Sequence, residues 1–126
     1  MEMTEEIIRV AARGDGVTAN GRYVALAAPG DIVDPSGGLI HGPHHVAPPC
    51  QHFPLCGGCQ LQHLDEDSLR LFIAERVTHA LATQQLEIGE VMPVHLSPPK
   101  SRRRIAVRSA WAGKQFQLGF STEKSH

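Results

Sequence analysis

The sequence predicts an α+β protein made mostly of β-strands: a small antiparallel barrel, then a loop, one amphipathic helix and a β-hairpin. Short apolar segments punctuated by turn residues fill residues 5–46, which is typical of small antiparallel barrels. Apolar residues then recur at helical spacing in residues 65–83. Two extended segments on either side of a short glycine turn end the chain, and they indicate a hairpin.

The barrel strands are predicted from apolar segments and from the turns between them. Asn20-Gly21 is a strong hairpin signal, because both residues tolerate the positive φ that a type I′ turn needs. Gly14 and Gly16 do not form a nucleotide-binding loop, because such a loop requires a third glycine at a fixed spacing and a following helix, whereas a hairpin is predicted to follow here. We interpret them as turn residues. The predicted strands cover residues 5–11, 22–27, 31–33 and 39–46.

The predicted helix covers residues 65–83 and begins at Asp65, a credible N-cap residue. Three acidic residues crowd its first turn, where the helix dipole favours negative charge. Its apolar residues fall on one face, and we expect that face to pack against the core. These residues are Leu69, Phe72, Ile73, Val77, Ala80 and Leu81.

The hairpin strands are predicted at residues 102–111 and 115–120, and the first of them is basic. Lys100, Arg102, Arg103, Arg104 and Arg108 form the densest positive charge in the chain. The formal charge is -7 over residues 1–99 and +6 over residues 100–126. Guanidinium groups bind phosphate in a bidentate manner and Lys100 adds a further positive charge, so we predict that these five residues contact a phosphodiester backbone such as that of RNA. The alternative is that they pair with the acidic part of the same chain.

All three cysteines, Cys50, Cys56 and Cys59, fall within ten residues in the spacing C-x5-C-x2-C. Thiolates are soft metal ligands, and the two glycines before the third cysteine allow a tight turn around a metal. The spacing leaves three interpretations open. They are an iron–sulfur cluster with a fourth ligand elsewhere, a Cys3His zinc site completed by His63, and three reduced thiols in a loop.

The length of 126 residues allows one compact domain or two very small ones. The acidic N-terminus lacks a signal-peptide pattern, and no apolar run is long enough to span a bilayer. We therefore expect a cytoplasmic protein without a membrane partner, in which clustered cysteines bind metal more readily than they form disulfides.

The segment Pro49–His63, PCQHFPLCGGCQLQH, resembles the iron–sulfur signature of bacterial RNA (uracil-5-)-methyltransferases, the ribosomal 5-methyluridine family. Upstream, three segments resemble that family's N-terminal TRAM domain, an OB-like barrel associated with RNA binding. They are Arg13–Val17, Gly21-Arg22 and Ala28–Asp31. Downstream, other segments resemble the start of its central domain. They are Ser97–Arg104, Leu118–Phe120 and Ser125-His126.

This resemblance implies a shortened TRAM/OB-like domain in residues 1–48 and an iron–sulfur loop, helix and incomplete central β domain in residues 49–126. Cys50, Cys56 and Cys59 would be ligands of a 4Fe-4S cluster whose fourth ligand lies beyond His126, and His63 would be a motif residue. The implied enzyme uses S-adenosylmethionine to methylate C5 of a uridine in ribosomal RNA and is monomeric at full length. The family's S-adenosylmethionine site, catalytic cysteine and general base belong to a C-terminal part, so we expect the 126-residue chain to be an inactive N-terminal part.

Overall fold

The computed structural model describes residues 3–122. Within that range the chain forms seven strands and one helix. In chain order they are β1 (Glu5–Val10), β2 (Gly16–Thr18), β3 (Tyr23–Val24), β4 (Ile32–Val33), β5 (Leu39–Ile40), α1 (Glu66–Thr83), β6 (Arg108–Ala112) and β7 (Gln115–Gly119). The predicted fold class, mostly β with one helix and a terminal hairpin, is confirmed.

The first five strands form one antiparallel sheet in the order β3-β2-β1-β4-β5, curled into an OB-like half-barrel. The longest strand, β1, lies at its centre and pairs with β2 through Ile7 opposite Thr18 and with β4 through Glu5 opposite Val33. The register shifts between Ile7 and Arg9, where a bulge bends β1. This bend contributes to the curvature of the sheet.

The core of the half-barrel is small and consists of side chains from the sheet and from one turn. Ile7, Ala27 and Val33 are almost fully buried, and two half-buried residues, Val24 and Leu39, pack against them. Such a core stabilises the fold through apolar surface removed from water. A single methyl group therefore matters at these positions.

Gly16 lies where β2 passes close to this core. A Cβ atom built there would lie 2.7 Å from the Cβ of Ala27 and 2.8 Å from Cγ2 of Ile7. Only glycine fits at this point without moving the core. A turn forms after β2 at Asn20-Gly21 as predicted, but it is not type I′, because Gly21 has a positive φ of 84° and Asn20 does not. Gly21 donates its N–H to the Thr18 carbonyl at 2.9 Å.

The helix α1 begins as predicted at Asp65, whose Oδ1 accepts a hydrogen bond from Ser68 N–H at 2.8 Å. The prediction that its apolar face packs in the core is wrong for much of that face. Ile73 is 37% exposed and Val77 is 59% exposed. The half-barrel fills its core with its own residues and offers α1 little apolar surface. The remaining stripe residues are Leu69, Phe72 and Leu81, which are half-buried, and Ala80, which is exposed.

The hairpin of β6 and β7 is confirmed, but its first strand starts later than predicted. Residues 101–107 have no regular secondary structure, and β6 begins at Arg108. The strand exists where β7 supplies a hydrogen-bonding partner, from Arg108 opposite Gly119 to Ala112 opposite Gln115. Arg102, Arg103 and Arg104 therefore lie outside the strand that was predicted to contain them. No helix among residues 3–122 is both long and apolar enough to cross a bilayer.

Candidate functional site

The cysteine loop, residues 50–59, is a series of turns between the half-barrel and α1. Cys50 N–H donates to Oε1 of Gln62 at 3.1 Å, and Cys56 N–H donates to the carbonyl of His52 at 2.9 Å. All three cysteines are free thiols. Cys50 and Cys56 are half-buried, and Cys59 is exposed. The loop thus presents its sulfurs at or near the surface.

The chemistry of this donor set suits a soft metal, because it offers three thiols on one short loop. Gly58 N–H also lies 3.4 Å from Sγ of Cys56, and backbone donors of this kind accompany cluster sulfurs. Among the described residues, however, no three His, Cys, Asp or Glu side chains converge closely enough to hold a metal ion. The residue types fit an iron–sulfur or zinc centre, whereas the three side chains are not gathered around one point.

The end of the hairpin lies against the cysteine loop. Gly57 N–H donates to the Ser121 carbonyl at 2.8 Å, and Cys56 forms an antiparallel bridge with Thr122. Thr122 therefore lies directly beside Cys56, one of the predicted metal ligands. The Ser-His pair that was matched to the family's central domain lies outside the described residues.

His63, the alternative zinc ligand, is almost fully buried against the half-barrel. Its Nε2 lies 3.3 Å from the Ala27 carbonyl, while its buried Nδ1 has no hydrogen-bond partner in the described part of the chain. Its ring stacks on Phe53, with 5.9 Å between centroids. Burial holds the pKa of His63 below its ordinary value, and the nearby His45 lowers it further. The Ala27 carbonyl and the Asp31 carboxylate raise this pKa, but they do not offset the effect of burial.

Sequence reasoning missed a buried carboxylate at the centre of this region. Asp31 is fully buried and accepts hydrogen bonds from Ala28 N–H at 2.9 Å, Gly42 N–H at 2.7 Å and Nδ1 of His45 at 2.7 Å. Burial alone raises the pKa of a carboxyl group, but the Gly42, Ala28 and His45 interactions outweigh it and lower the pKa of Asp31. The only sequence signal was the density of histidines in residues 41–45.

A second carboxylate–histidine pair ties the same loop to the helix. Nδ1 of His44 lies 2.6 Å from Oδ2 of Asp65, the N-cap residue of α1. The backbone adds a bridge between His45 and Leu64 and a hydrogen bond from Val46 N–H to the carbonyl of residue 63 at 2.9 Å. The half-barrel, the loop that follows it and the start of α1 are therefore connected by specific polar contacts.

The five residues predicted to contact RNA are exposed. Arg108 is the first residue of β6, while Lys100, Arg102, Arg103 and Arg104 lie in or next to the irregular segment before it. None of the five takes part in an ion pair with an acidic residue of the described chain. The alternative that they pair with the acidic part of the chain therefore has no support among residues 3–122.

No protein-family profile matches the chain, but several curated proteins do. A protein named as an uncharacterised RNA methyltransferase from Zymomonas mobilis is 43% identical over 122 residues, covering 97% of this chain and 31% of the relative. A similarly named protein from Caulobacter vibrioides is 38% identical over 131 residues, covering 92% of this chain and 31% of the relative. The 23S rRNA (uracil(1939)-C(5))-methyltransferase RlmD of Idiomarina loihiensis is 27% identical over 141 residues, covering 95% of this chain and 30% of the relative.

These matches define the class of protein: the chain belongs to a family of RNA methyltransferases. Within that class it resembles both proteins without an assigned target and RlmD enzymes named for a uracil C5 in 23S rRNA. The chain spans about a third of the length of the curated relatives that it matches.

Proposed function

We propose that this chain is the N-terminal, RNA-binding part of an S-adenosylmethionine-dependent methyltransferase that methylates C5 of a uridine in ribosomal RNA. The observation that carries the proposal is its similarity, along nearly its whole length, to RNA methyltransferases, among them RlmD. The family chemistry is attack of a cysteine thiolate on C6 of uracil, methyl transfer to C5 and removal of the C5 proton. The residues for these steps belong to the part of the family that this chain does not match, so the 126-residue chain alone is expected to be inactive.

The role of this chain in that enzyme is to bind RNA through Lys100, Arg102, Arg103, Arg104 and Arg108. Two observations support this role: these cations are exposed, and they form no ion pair within the described chain. Cations that are not already neutralised are available to phosphate groups, where they displace condensed counterions. Such contacts position RNA without reading its sequence.

The test is the salt dependence of RNA binding by the 126-residue chain. The logarithm of the binding constant for single-stranded RNA falls linearly with the logarithm of the salt concentration, with a slope of about 0.7 per neutralised phosphate. If Arg102 and Arg104 each contact one phosphate, the double variant Arg102→Ala/Arg104→Ala binds more weakly and flattens the slope by about 1.4. Filter binding over a range of potassium chloride concentrations measures both quantities.

The control is Arg70→Ala, which removes one positive charge, whereas the double variant removes two. Arg70 lies on α1 and already pairs with Glu66 at 3.3 Å, so the salt slope is expected to stay unchanged. An unchanged slope in the Arg102/Arg104 double variant contradicts phosphate contact by these residues.

We also propose that Cys50, Cys56 and Cys59 hold a 4Fe-4S cluster together with a fourth ligand from outside the described residues. The cluster would cross-link the loop, and the position of Thr122 beside Cys56 supports a ligand from the segment that follows. Purification without oxygen, followed by analysis of iron, sulfide and zinc, tests this assignment. Iron with sulfide is expected in a chain that supplies a fourth ligand, and absent or labile iron in the 126-residue chain, because a cluster with three thiolates exposes one iron to solvent. Zinc alone supports the Cys3His site with His63 and refutes the cluster.

The division of the chain into residues 1–48 and residues 49–126 is likewise a proposal. The first segment contains the five strands of the half-barrel, and the second contains the cysteine loop, α1 and the hairpin. The pair of His44 with Asp65 crosses this boundary, so the two segments contact each other at the N-terminus of α1. Limited proteolysis followed by mass spectrometry locates the boundary by its first cleavage sites.

A further inference from the structure

The segment that follows the cysteine loop, residues 60–64, is fixed to the half-barrel and to the loop after β5. His63 is 1% exposed, and its Nε2 lies 3.3 Å from the carbonyl oxygen of Ala27. Leu64 is also buried and forms an antiparallel bridge with His45. We call residues 60–64 the anchor segment, because these buried contacts hold it in one place relative to the strands.

The anchor segment contacts the start of the cysteine loop. The N–H of Cys50 donates to Oε1 of Gln62, twelve residues later in the chain, at 3.1 Å. Inside the loop, the ring of Phe53 stacks on the ring of His63, with 5.9 Å between the centroids. The position of Cys50 therefore depends on a side chain whose neighbour in the sequence is buried against the half-barrel.

The end of the cysteine loop is held by the turn between β1 and β2. Gln60 follows Cys59 directly, and a Cβ atom built on the buried Gly14 would lie 2.6 Å from the Gln60 carbonyl oxygen and 3.1 Å from the Gln60 Cβ. Non-bonded carbon and oxygen atoms do not approach each other as closely as the first distance. A side chain at position 14 would therefore force the turn away from the residue next to Cys59.

We propose that the half-barrel positions the cysteine loop for metal binding, with Gly14 and Gln62 as the positioning residues for Cys59 and Cys50. This inference rests on the proposed metal site and adds that residues without any ligating role set its geometry. A ligand whose backbone is already held in place loses less conformational freedom when it binds a metal, so the residues that hold it raise the affinity.

Two glycines with similar backbones allow a sharp test. Gly14 and Gly37 have φ values of 96° and 92°, and each donates its N–H to the carbonyl of the residue three positions earlier, at 2.9 Å and 3.0 Å. Beyond its chain neighbours, no described atom lies within 4 Å of a Cβ built on Gly37. Gly14→Ala and Gly37→Ala therefore share the strain of a side chain at positive φ, and only Gly14→Ala presses on Gln60.

Cadmium(II) is the probe, because thiolates bind this soft ion and the resulting complexes absorb in the ultraviolet. The reduced 126-residue chain is titrated with cadmium(II) against a competing chelator, which gives the affinity, while the absorption per bound ion reports how many thiolates coordinate it. Gly14→Ala is expected to bind about tenfold more weakly than the parent, with lower absorption per ion because Cys59 leaves the ligand set. Gly37→Ala is expected to match the parent in both quantities.

Gln62 provides a second test that leaves the turn at Gly14 intact. Gln62→Ala removes the acceptor of the Cys50 N–H and is expected to weaken cadmium binding about tenfold. Gln62→Glu keeps an acceptor oxygen at this position and is expected to restore binding, which a general loss of stability would not explain. Gln51→Ala is the control, because Gln51 is an exposed residue of the same loop, and its binding is expected to equal that of the parent.

The outcomes separate this inference from the metal site on which it rests. A parent chain that does not bind cadmium refutes both. If the parent binds but Gly14→Ala and Gln62→Ala bind equally well, only the positioning role fails. Equal losses in Gly14→Ala and Gly37→Ala also overturn the inference, because backbone strain then accounts for the effect. Circular dichroism shows which variants fold, and if Gly14→Ala does not, the comparison of Gln62→Ala with Gln62→Glu decides alone.

Discussion

Replacing Asp31 with alanine removes the carboxylate that joins the half-barrel to the loop after β5. Three donors, Ala28 N–H, Gly42 N–H and Nδ1 of His45, lose their buried partner. Leaving a buried donor without its hydrogen-bond partner costs about 1–3 kcal/mol for each group, because the group stays desolvated without compensation. A small domain is stable by only about 5–15 kcal/mol. We therefore expect Asp31→Ala to lose a large share of its free energy of unfolding.

Urea denaturation followed by far-ultraviolet circular dichroism measures this loss. The matched control is Asp34→Ala, because Asp34 also accepts hydrogen bonds, from Oγ of Ser36 and N–H of Gly38, but does so at the surface of a turn. The control is expected to lose clearly less stability than the Asp31 variant. A loss below about 1 kcal/mol for Asp31→Ala, the size of an ordinary substitution, or equal losses in both variants, refutes the reasoning from burial.

Two further predictions concern the same region. Burial lowers the pKa of His63, so as the pH falls the unfolded chain takes up a proton at a higher pH than the folded chain does. The stability that His63 contributes is therefore present above pH about 6.5 and is lost as the pH falls below it, by up to about 1.4 kcal/mol per pH unit. Urea midpoints measured from about pH 8 to about pH 5 are therefore expected to fall more steeply for the parent than for His63→Gln, and equal pH dependence contradicts this. Removing the N-cap in Asp65→Ala costs about 1 kcal/mol, which thermal melting detects, whereas Asp67→Ala, on an exposed side chain of the first turn, is the control and is expected to change the melting temperature little.

The parts of the fold that depend on neighbouring residues were predictable from the sequence. The turn at Asn20-Gly21 and the N-cap at Asp65 follow from local backbone preferences, and the structure contains both. The hairpin was predictable for the same reason, since its strands flank a short turn at Gly113. For the candidate site, the sequence could identify the cysteine loop and the basic segment by residue type and spacing.

The parts that depend on distant contacts were not predictable. Asp31 and His45 are far apart in sequence, and no periodic pattern connects them, although their contact organises the centre of the structure. The periodicity of α1 indicates an apolar face but does not say whether another element covers it, and Val77 remains exposed. The strand predicted from Arg102 begins at Arg108 instead, because a strand requires a partner and β7 ends opposite Arg108.

The contact of the hairpin end with the cysteine loop has a mechanical consequence. The hydrogen bond from Gly57 to Ser121 anchors the base of a lever whose far tip carries Trp111. A small rotation of the loop is magnified along the length of the hairpin and displaces that tip by more than the loop itself moves. A change in the conformation of the cysteine loop would therefore also change the orientation of the hairpin, because Gly57 and Cys56 both contact its end.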